Sequence, residues 1–406
     1  MSETAGEAPA LGRVAARGNN LDQVRRKNLS TVLGLVHSHR GMSRAELTRA
    51  TGLNRSTIAA LVAELVERGL ALETAPDPTN LVGRPSSTVI PNPSVVAITV
   101  NPELDAVVVG LVTLGGVVIR RIRYDTVRTP SVQEVVNIVS AIVEGMRAEL
   151  DANYRTIGLG LAVPGLVRSA DGLVALAPHL GWRDEPVAGL IAEATRYSVV
   201  SANDASMGAI AESTFGAGAG VDNLIYLNGG ASGIGGGVVI DGHLLAGAGG
   251  FAGELGHTLV NSTGVECHCG GRGCLETEVS RQPLLDAVGL STAQADQLDE
   301  LLAARYADPA YPAVRDLVDR QVRFLGVALR GAINVFDPEL VVLGGFLGSL
   351  YRAAGSELER EGLGSTMSAA HTGVRIARAS LGGDILMVGA AELVFAAVLG
   401  DPASVS

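Results

Sequence analysis

The sequence predicts an α/β protein: a small winged helix-turn-helix followed by a larger body of two similar lobes. Three observations lead there. Apolar residues recur at helical spacing in the first seventy positions, and strands with helices between them take over beyond Pro91-Asn92-Pro93. Each half of the body opens on strand-like runs joined by tight turns. The charge also divides. Arg13 to Ile90 carries 11 Lys+Arg against 6 Asp+Glu, whereas the remainder from Pro91 carries 20 against 34. A basic module on an acidic body fits nucleic-acid binding joined to a sensor or an enzyme.

The chain of 406 residues, with 52 glycines and 3% aromatics, can bury a large core and make many tight turns. No run of eighteen apolar residues stands out, so no membrane span is expected. The start, Met-Ser-Glu-Thr-Ala-Gly-Glu-Ala-Pro-Ala, lacks a basic segment followed by an apolar one, so a cytoplasmic location is expected.

Residues 1–20 are polar and Gly/Ala-rich and read as a disordered tail. The DNA-binding unit is expected over 21–90. Its first helix runs from Asp22 to His39. Ser43 caps a short helix, Arg44 to Ala50, and Glu46 completes a capping box. Gly52 turns the chain. Asn54 caps a third helix, Arg55 to Arg68. Two strand-like runs, Leu70–Thr74 and Ser87–Ile90, flank a Pro/Gly loop and form a wing. The candidate DNA contacts are Ser43, Arg44, Asn54, Arg55, Ser56 and Thr57 at helix starts, and Arg84 on the stiff Gly83-Arg84-Pro85 turn. His37 and His39 complement the first helix's dipole and receive no further chemistry.

The first lobe is expected over 94–216. It holds three antiparallel strands, Val95–Val100, Ala106–Val112 and Val117–Tyr124, then a helix from Val132 to Ala152 and a buried strand Ile157–Val163. A loop holds the single tryptophan, Trp182, which either plugs a gap between the lobes or borders a ligand cleft. A helix near Glu185–Arg196, a strand Ser198–Ala202 and a helix Ala205–Glu212 complete it. The second lobe, 217–406, begins with Asn223–Asn228, a Gly-rich bend and Gly236–Ile240. Long helices are expected over Leu284–Ala304 and Pro312–Phe336. The last helix, Met387–Leu399, can pack back on the first lobe. A cleft between such lobes is the expected ligand site.

All three cysteines, Cys267, Cys269 and Cys274, fall within eight residues, and His257 lies ten upstream. Three thiolates and one imidazole suit one structural Zn²⁺ per chain. His268 is a rival ligand, but it would have to turn back between two cysteines. A disulfide plus a spare thiol is the alternative, and the single cluster in a chain without a secretion signal argues against it.

These residues resemble a known family. Ala252-Gly253-Glu254-Leu255-Gly256-His257, followed by Cys-x-Cys-Gly-Gly-x-Gly-Cys-Leu-Glu from Cys267 to Glu276, is similar to the signature of the ROK family (repressors, open reading frames and sugar kinases). Val163-Pro164-Gly165, His179-Leu180-Gly181-Trp182, Asn203-Asp204 and Gly344-Gly345 match as well, and the winged module resembles its repressor branch. The resemblance implies an actin/hexokinase-like (ribonuclease H-like) body, a Zn²⁺ beside a sugar site, and sugar contacts from Asn203, Asp204, Glu254, His257 and Glu276. In the family's kinases the position of Asp204 is the general base. Those kinases carry Asp-x-Gly-x-Thr at the end of the first strand, where this chain has Ile98-Thr99-Val100-Asn101-Pro102-Glu103. Pro102 offers no N–H and Glu103 repels a triphosphate. The expectation is a non-catalytic, sugar- or phosphosugar-responsive repressor that binds double-stranded operator DNA as a homodimer or homotetramer. A sugar kinase that also binds DNA is the alternative.

Overall fold

The computed structural model describes residues 21–74, 87–364 and 373–405. The tail before residue 21 and the Gly83-Arg84-Pro85 turn lie outside them.

The amino-terminal unit runs α1 (Leu21–Ser38), β1 (Met42–Ser43), α2 (Arg44–Thr51), α3 (Arg55–Glu67), β2 (Ala71–Thr74) and β3 (Thr88–Pro91). The Ser43 hydroxyl accepts from Glu46 N while the Glu46 carboxylate accepts from Ser43 N, so α2 starts on a full capping box. Gly52, at φ +70°, ends it. Asn54 Oδ1 accepts from Thr57 N at 2.9 Å and starts α3. The three short strands form one antiparallel sheet in the order β1-β3-β2.

The first lobe follows as β4 (Val95–Pro102), β5 (Ala106–Thr113), β6 (Val118–Asp125), α4 (Val132–Asn153), β7 (Arg155–Val163), β8 (Leu166–Val167), β9 (Val174–Ala177), β10 (Trp182–Glu185), α5 (Val187–Thr195), β11 (Val199–Asn203) and α6 (Asp204–Phe215). The second lobe has β12 (Leu224–Gly229), β13 (Ile234–Ile240), β14 (His243–Leu244), α7 (Leu275–Glu278), α8 (Arg281–Ala287), α9 (Leu298–Ala307), α10 (Pro312–Phe336), β15 (Leu340–Gly344), α11 (Gly345–Gly362), β16 (Arg375–Arg378) and α12 (Ile385–Gly400).

The two main sheets repeat one plan. Each has an antiparallel three-strand meander extended by two parallel strands, in the orders β11-β7-β4-β5-β6 and β14-β13-β12-β15-β16. The parallel strands of each lobe end at the same edge, which is where ligands bind in sheets of this kind. α4 and α5 cover one face of the first sheet, and α8 to α11 cover one face of the second.

α6 and α12 take the remaining space. α6 packs on β12 and β13 of the second sheet and on α12. α12 packs on β4, β5 and β7 of the first sheet and on α1. α12 is therefore apolar nearly all round. Among the described residues, Gly382–Gly400 is the one stretch long and apolar enough to cross a membrane, with a mean hydropathy of 1.8. Here it forms a core: Met387, Ala391, Val394, Phe395 and Val398 share one cluster with Leu29, Val32, Leu33 and Val36 of α1 and with Val95, Ala97 and Val112 of the first sheet. The amino-terminal unit thus sits on the body through a continuous apolar core as well as through the Pro91-Asn92-Pro93 segment.

Two local expectations change. The helix expected over Leu284–Ala304 is interrupted: Gly289, at φ +68°, ends α8 and Ser291 opens a new 3₁₀ turn before α9. Trp182 neither fills a gap between lobes nor borders the cleft. It is 3% exposed in the first lobe's own core, with Nε1 donating to Pro130 O at 3.2 Å. Its strand, β10, belongs to a small side sheet, β10-β9-β8, whose strands were too short to stand out from loop in the sequence.

Candidate sugar and metal site

A cleft of about 350 Å³ lies where the two sheets' parallel strands end, and Asn203, Asp204, Glu254, His257 and Glu276 all line it. The fold delivers each differently. Asn203 ends β11 and caps α6: its Oδ1 accepts from Ala205 N (2.9 Å) and Ser206 N (3.1 Å), and its Nδ2 donates to Gly165 O at 2.9 Å. The amide is thus largely occupied in holding the loop after β7 against α6. Asp204 opens α6, with Oδ1 accepting from Ala205 N at 2.8 Å and Oδ2 left for a ligand. Glu254 and His257 bracket a 3₁₀ turn, Leu255–His257, which brings His257 Nε2 to 4.0 Å from Glu254 Oε2.

Burial raises the Asp204 carboxyl to about 6, and the charge of Glu254 adds to the rise while the Ala205 N–H opposes it. Burial also raises Glu254, partly offset by His257. Two carboxyls with little protein hydrogen bonding, set in a low-dielectric cleft, are poised to meet hydroxyl donors.

The metal candidates converge. His257, Cys267, Cys269 and Cys274 place one donor atom each within 4.8 Å of one another. Cys269 Sγ lies 3.7 Å from Cys274 Sγ, and Cys267 Sγ lies 3.6 Å from His257 Nδ1. Tetrahedral Zn²⁺ with ordinary bond lengths requires about 3.8 Å between sulfurs and about 3.5 Å between sulfur and nitrogen. The donors present fit that ion. Burial pushes the thiols of Cys267 and Cys274 up, whereas the Gly271 N–H lowers that of Cys269. A bound cation would hold all three as thiolates. His268, the rival, forms a second possible set with His257 and Glu276. Its Nδ1 is 3.9 Å from Cys267 Sγ and 3.2 Å from Glu276 Oε1. The two sets share His257, so one ion takes one or the other, and the thiol-rich set suits Zn²⁺ better. Its use of Nδ1 leaves His257 Nε2 facing the cleft.

Several further residues line the cleft that were not expected as sugar contacts. His179 and His268 stack edge to face with centroids 5.8 Å apart, and His268 meets His257 at 5.3 Å. Asn228 and Ser232 line the cleft from the second sheet. The His-Leu-Gly-Trp segment was a signal for His179, and its position opposite the cysteine loop needed the fold.

In the amino-terminal unit the residues expected to contact DNA are dispersed in role. Ser43 and Asn54 are caps, and Ser56 Oγ donates to Asn54 Oδ1 at 2.7 Å. The Arg44 guanidinium pairs with Glu73 at 2.7 Å. Arg55 is exposed at the start of α3, and Thr57 is half-buried. Arg84 lies outside the described residues.

The turn after β4 lies at the same edge of the sheet as Asn203. Asn101 Nδ2 donates to Glu103 Oε1 at 3.2 Å, and Arg123 of β6 gathers Glu103, Asp105 and Asp125. These hydrogen bonds, foremost the one to Glu103, raise the Arg123 guanidinium further.

Two lobes on one plan, a cleft at their strand ends and a Cys₃His cluster beside it define a sugar-kinase-like fold. The chain belongs to the ROK family, whose profile matches residues 104–397. The xylose repressor of Bacillus subtilis is 29% identical over 321 residues, covering 79% of this chain and 82% of the relative. The glucokinase of Thermotoga maritima is 32% identical over 253 residues, covering 58% and 77%. Among solved structures, a ROK family transcriptional regulator homologous to the E. coli MLC protein is 27% identical, with a TM-score of 0.74, and covers 93% of this chain and 97% of its own. A ROK family glucokinase from Streptomyces griseus, in complex with glucose and AMPPNP, is 27% identical with a TM-score of 0.60, covering 73% and 98%.

Proposed function

We propose that this protein is a sugar-responsive transcriptional repressor that does not phosphorylate its ligand. The observation that carries this reading is the union, in one packed chain, of a helix-turn-helix unit and a cleft lined by under-bonded carboxyls. The likeness to a transcriptional regulator over 93% of the chain, amino-terminal unit included, supports it. Asp204, Glu254 and Glu276 accept from the hydroxyls of a sugar or phosphosugar, His257 Nε2 donates to one, and Asn203 sets the loop against which the ligand lies. His257, Cys267, Cys269 and Cys274 would hold Zn²⁺ in a structural role, and as ligands they would fix the ring of His257 and the loop leading to Glu276. Arg55, Ser56 and the free N–H groups at the start of α3 contact operator phosphates and base edges, with Arg84 entering from the wing. Two units on a pseudo-palindromic operator require a homodimer or homotetramer. The domain limits that go with this reading are 21–90 for the DNA unit and 94–216 and 217–406 for the lobes.

Absence of catalysis is inferred from the β4 turn. Arg123 is held by three carboxylates there, and Glu103 and Asp105 place negative charge where a triphosphate would lie. A kinase reading keeps two favourable features, the Gly-rich bend Gly229–Gly235 and the likeness to glucokinases. The deciding experiment pairs two assays on D-xylose, D-glucose and their phosphates: thermal shift, and ATP-dependent phosphorylation. Stabilisation by a sugar without turnover is expected. Turnover on any of them would establish the kinase instead.

A further inference from the structure

We propose that α6 is the strut that carries the state of the sugar cleft to the DNA-binding unit, and that His37 is the joint on which it acts. The proposal deepens the sugar-responsive reading above and rests on it. α6 has 12 residues and spans about 18 Å. Its first turn is in the cleft, where Asn203 caps it and Asp204 opens it. Its last residue, Phe215, lies against α1: the ring meets that of His37 with centroids 5.1 Å apart, and the Arg40 guanidinium sits 4.9 Å over it. One rigid element therefore runs from the candidate cleft to the first helix of the amino-terminal unit.

The joint around Phe215 is closely specified. His37 is 2% exposed, a charged-type side chain in the core that the DNA unit shares with α12. Its Nδ1 accepts from Gly115 N at 3.1 Å, so Nε2 carries the ring proton and donates to Glu392 Oε2 of α12 at 2.8 Å. Glu392 is 6% exposed and its Oε1 has no partner. Arg40 Nε donates to Gly115 O at 3.2 Å, so the C-terminal end of α1 holds both polar groups of one residue in the β5–β6 turn. Gly116, at φ +70°, leaves room for Phe215; a Cβ there would fall 2.3 Å from the ring.

α6 and α12 are locked together by packing and hydrogen bonds. Glu212 of α6 is fully buried and accepts from Ser380 N and Leu381 N, each at 2.9 Å, just ahead of α12. Gly389 of α12 approaches Met207 so closely that a Cβ would fall 2.1 Å from its carbonyl oxygen. A ligand that draws the first turn of α6 toward the second lobe shifts Phe215 and Glu392 together, and both bear on His37. A buried carboxylate with a single hydrogen bond has little tolerance for displacement. A packed joint of this kind switches between arrangements instead of bending gradually.

The test uses the full chain, D-xylose and D-glucose as probes, and a duplex recovered by in vitro selection on the wild-type protein. Phe215→Leu and Glu392→Gln change the joint without touching either binding surface. Both variants are expected to bind sugar and duplex separately within about threefold of wild type, a span smaller than allosteric factors usually reach. The factor by which sugar changes duplex affinity is expected to fall to less than a third of the wild-type factor. Wild-type coupling retained in full by both variants overturns the strut and leaves the sugar-responsive reading intact. A wild-type factor of one overturns that reading, and the strut with it. A second measurement on unmodified protein covers variants that fail to fold. Sugar should alter amide exchange at 36–40 and 115–116 together with 203–206. Protection confined to 203–206 overturns the proposal.

Discussion

The two candidate binding regions use their polar side chains in opposite ways. In the amino-terminal unit Ser43, Asn54 and Ser56 are tied into helix caps, and Arg44 is paired with Glu73. In the cleft Asp204 and Glu254 have few protein partners, and burial raises both carboxyls. The first region is built to present helix ends, whose backbone N–H groups and one exposed arginine suit a polyanion. The second holds side chains in readiness for hydroxyls. Affinity in the cleft should therefore depend steeply on individual side chains, and affinity at the DNA face should be spread over many weak contacts.

The largest effect is expected from the metal. Cys269→Ser should lower zinc content and abolish the sugar-induced rise in Tm, because a bound ion would fix His257 and the approach to Glu276. Metal analysis with thermal shift checks this, and unchanged zinc stoichiometry would exclude Cys269 as a ligand. Next comes Asp204→Asn, expected to weaken sugar by about 1.5–3 kcal/mol, the usual size for a hydrogen bond to a charged group. Calorimetry measures it, and duplex affinity without sugar should not move.

The Asp204 carboxyl also sets a pH dependence. Sugar hydroxyl donors favour the carboxylate, and the group is raised to about 6 in the free protein. Affinity should hold above pH 7 and fall about tenfold by pH 5, since each unit below the pKa is a factor of ten. The stability of the free protein runs the other way. A carboxyl raised on folding binds more protons in the native state, so this group's contribution falls as pH rises from 3.8 to about 6. Calorimetric titrations at pH 5, 6 and 7 test the first trend. Flat affinity would show that Asp204 does not meet the sugar as a carboxylate.

At the DNA face the effects should be smaller. Arg55→Ala should weaken duplexes of any sequence about equally and reduce the log–log salt slope by about 1, as for one lost phosphate contact. A loss confined to one base position would mean that Arg55 reads a base. Smallest is Ser43→Ala, expected to cost about 1 kcal/mol of stability through the lost cap, visible in denaturant unfolding.

Much of this architecture was legible in the residues. The capping box at Ser43 and Glu46, the cap at Asn54 and the span Pro312–Phe336 follow from local chemistry, and the structure matches them closely. The convergence of His257 with the three cysteines was legible because ligand types and spacing are restrictive. Other features depend on distant pairing. The strands of the side sheet are two to four residues long and have no periodicity to read. Trp182 was expected either to plug a gap between the lobes or to border the cleft, and packing within the first lobe places it in that lobe's own core. His37 looked like a surface histidine at a helix end. Its burial depends on Glu392, 355 residues away, which no local pattern announces. Asn203 was expected to contact a ligand, and its cap and its bond to Gly165 emerged only with the fold.

In the proposed repressor one ligand cleft and one DNA surface share a free energy. Coupling of that kind is reciprocal: if sugar weakens duplex binding by some factor, duplex must weaken sugar binding by the same factor. A calorimetric titration of the stabilising sugar into the full chain, with and without saturating duplex, measures it directly. Sugar binding is expected to be weaker in the presence of duplex, by the factor found in the converse experiment. Equal sugar affinity in the two titrations would contradict it.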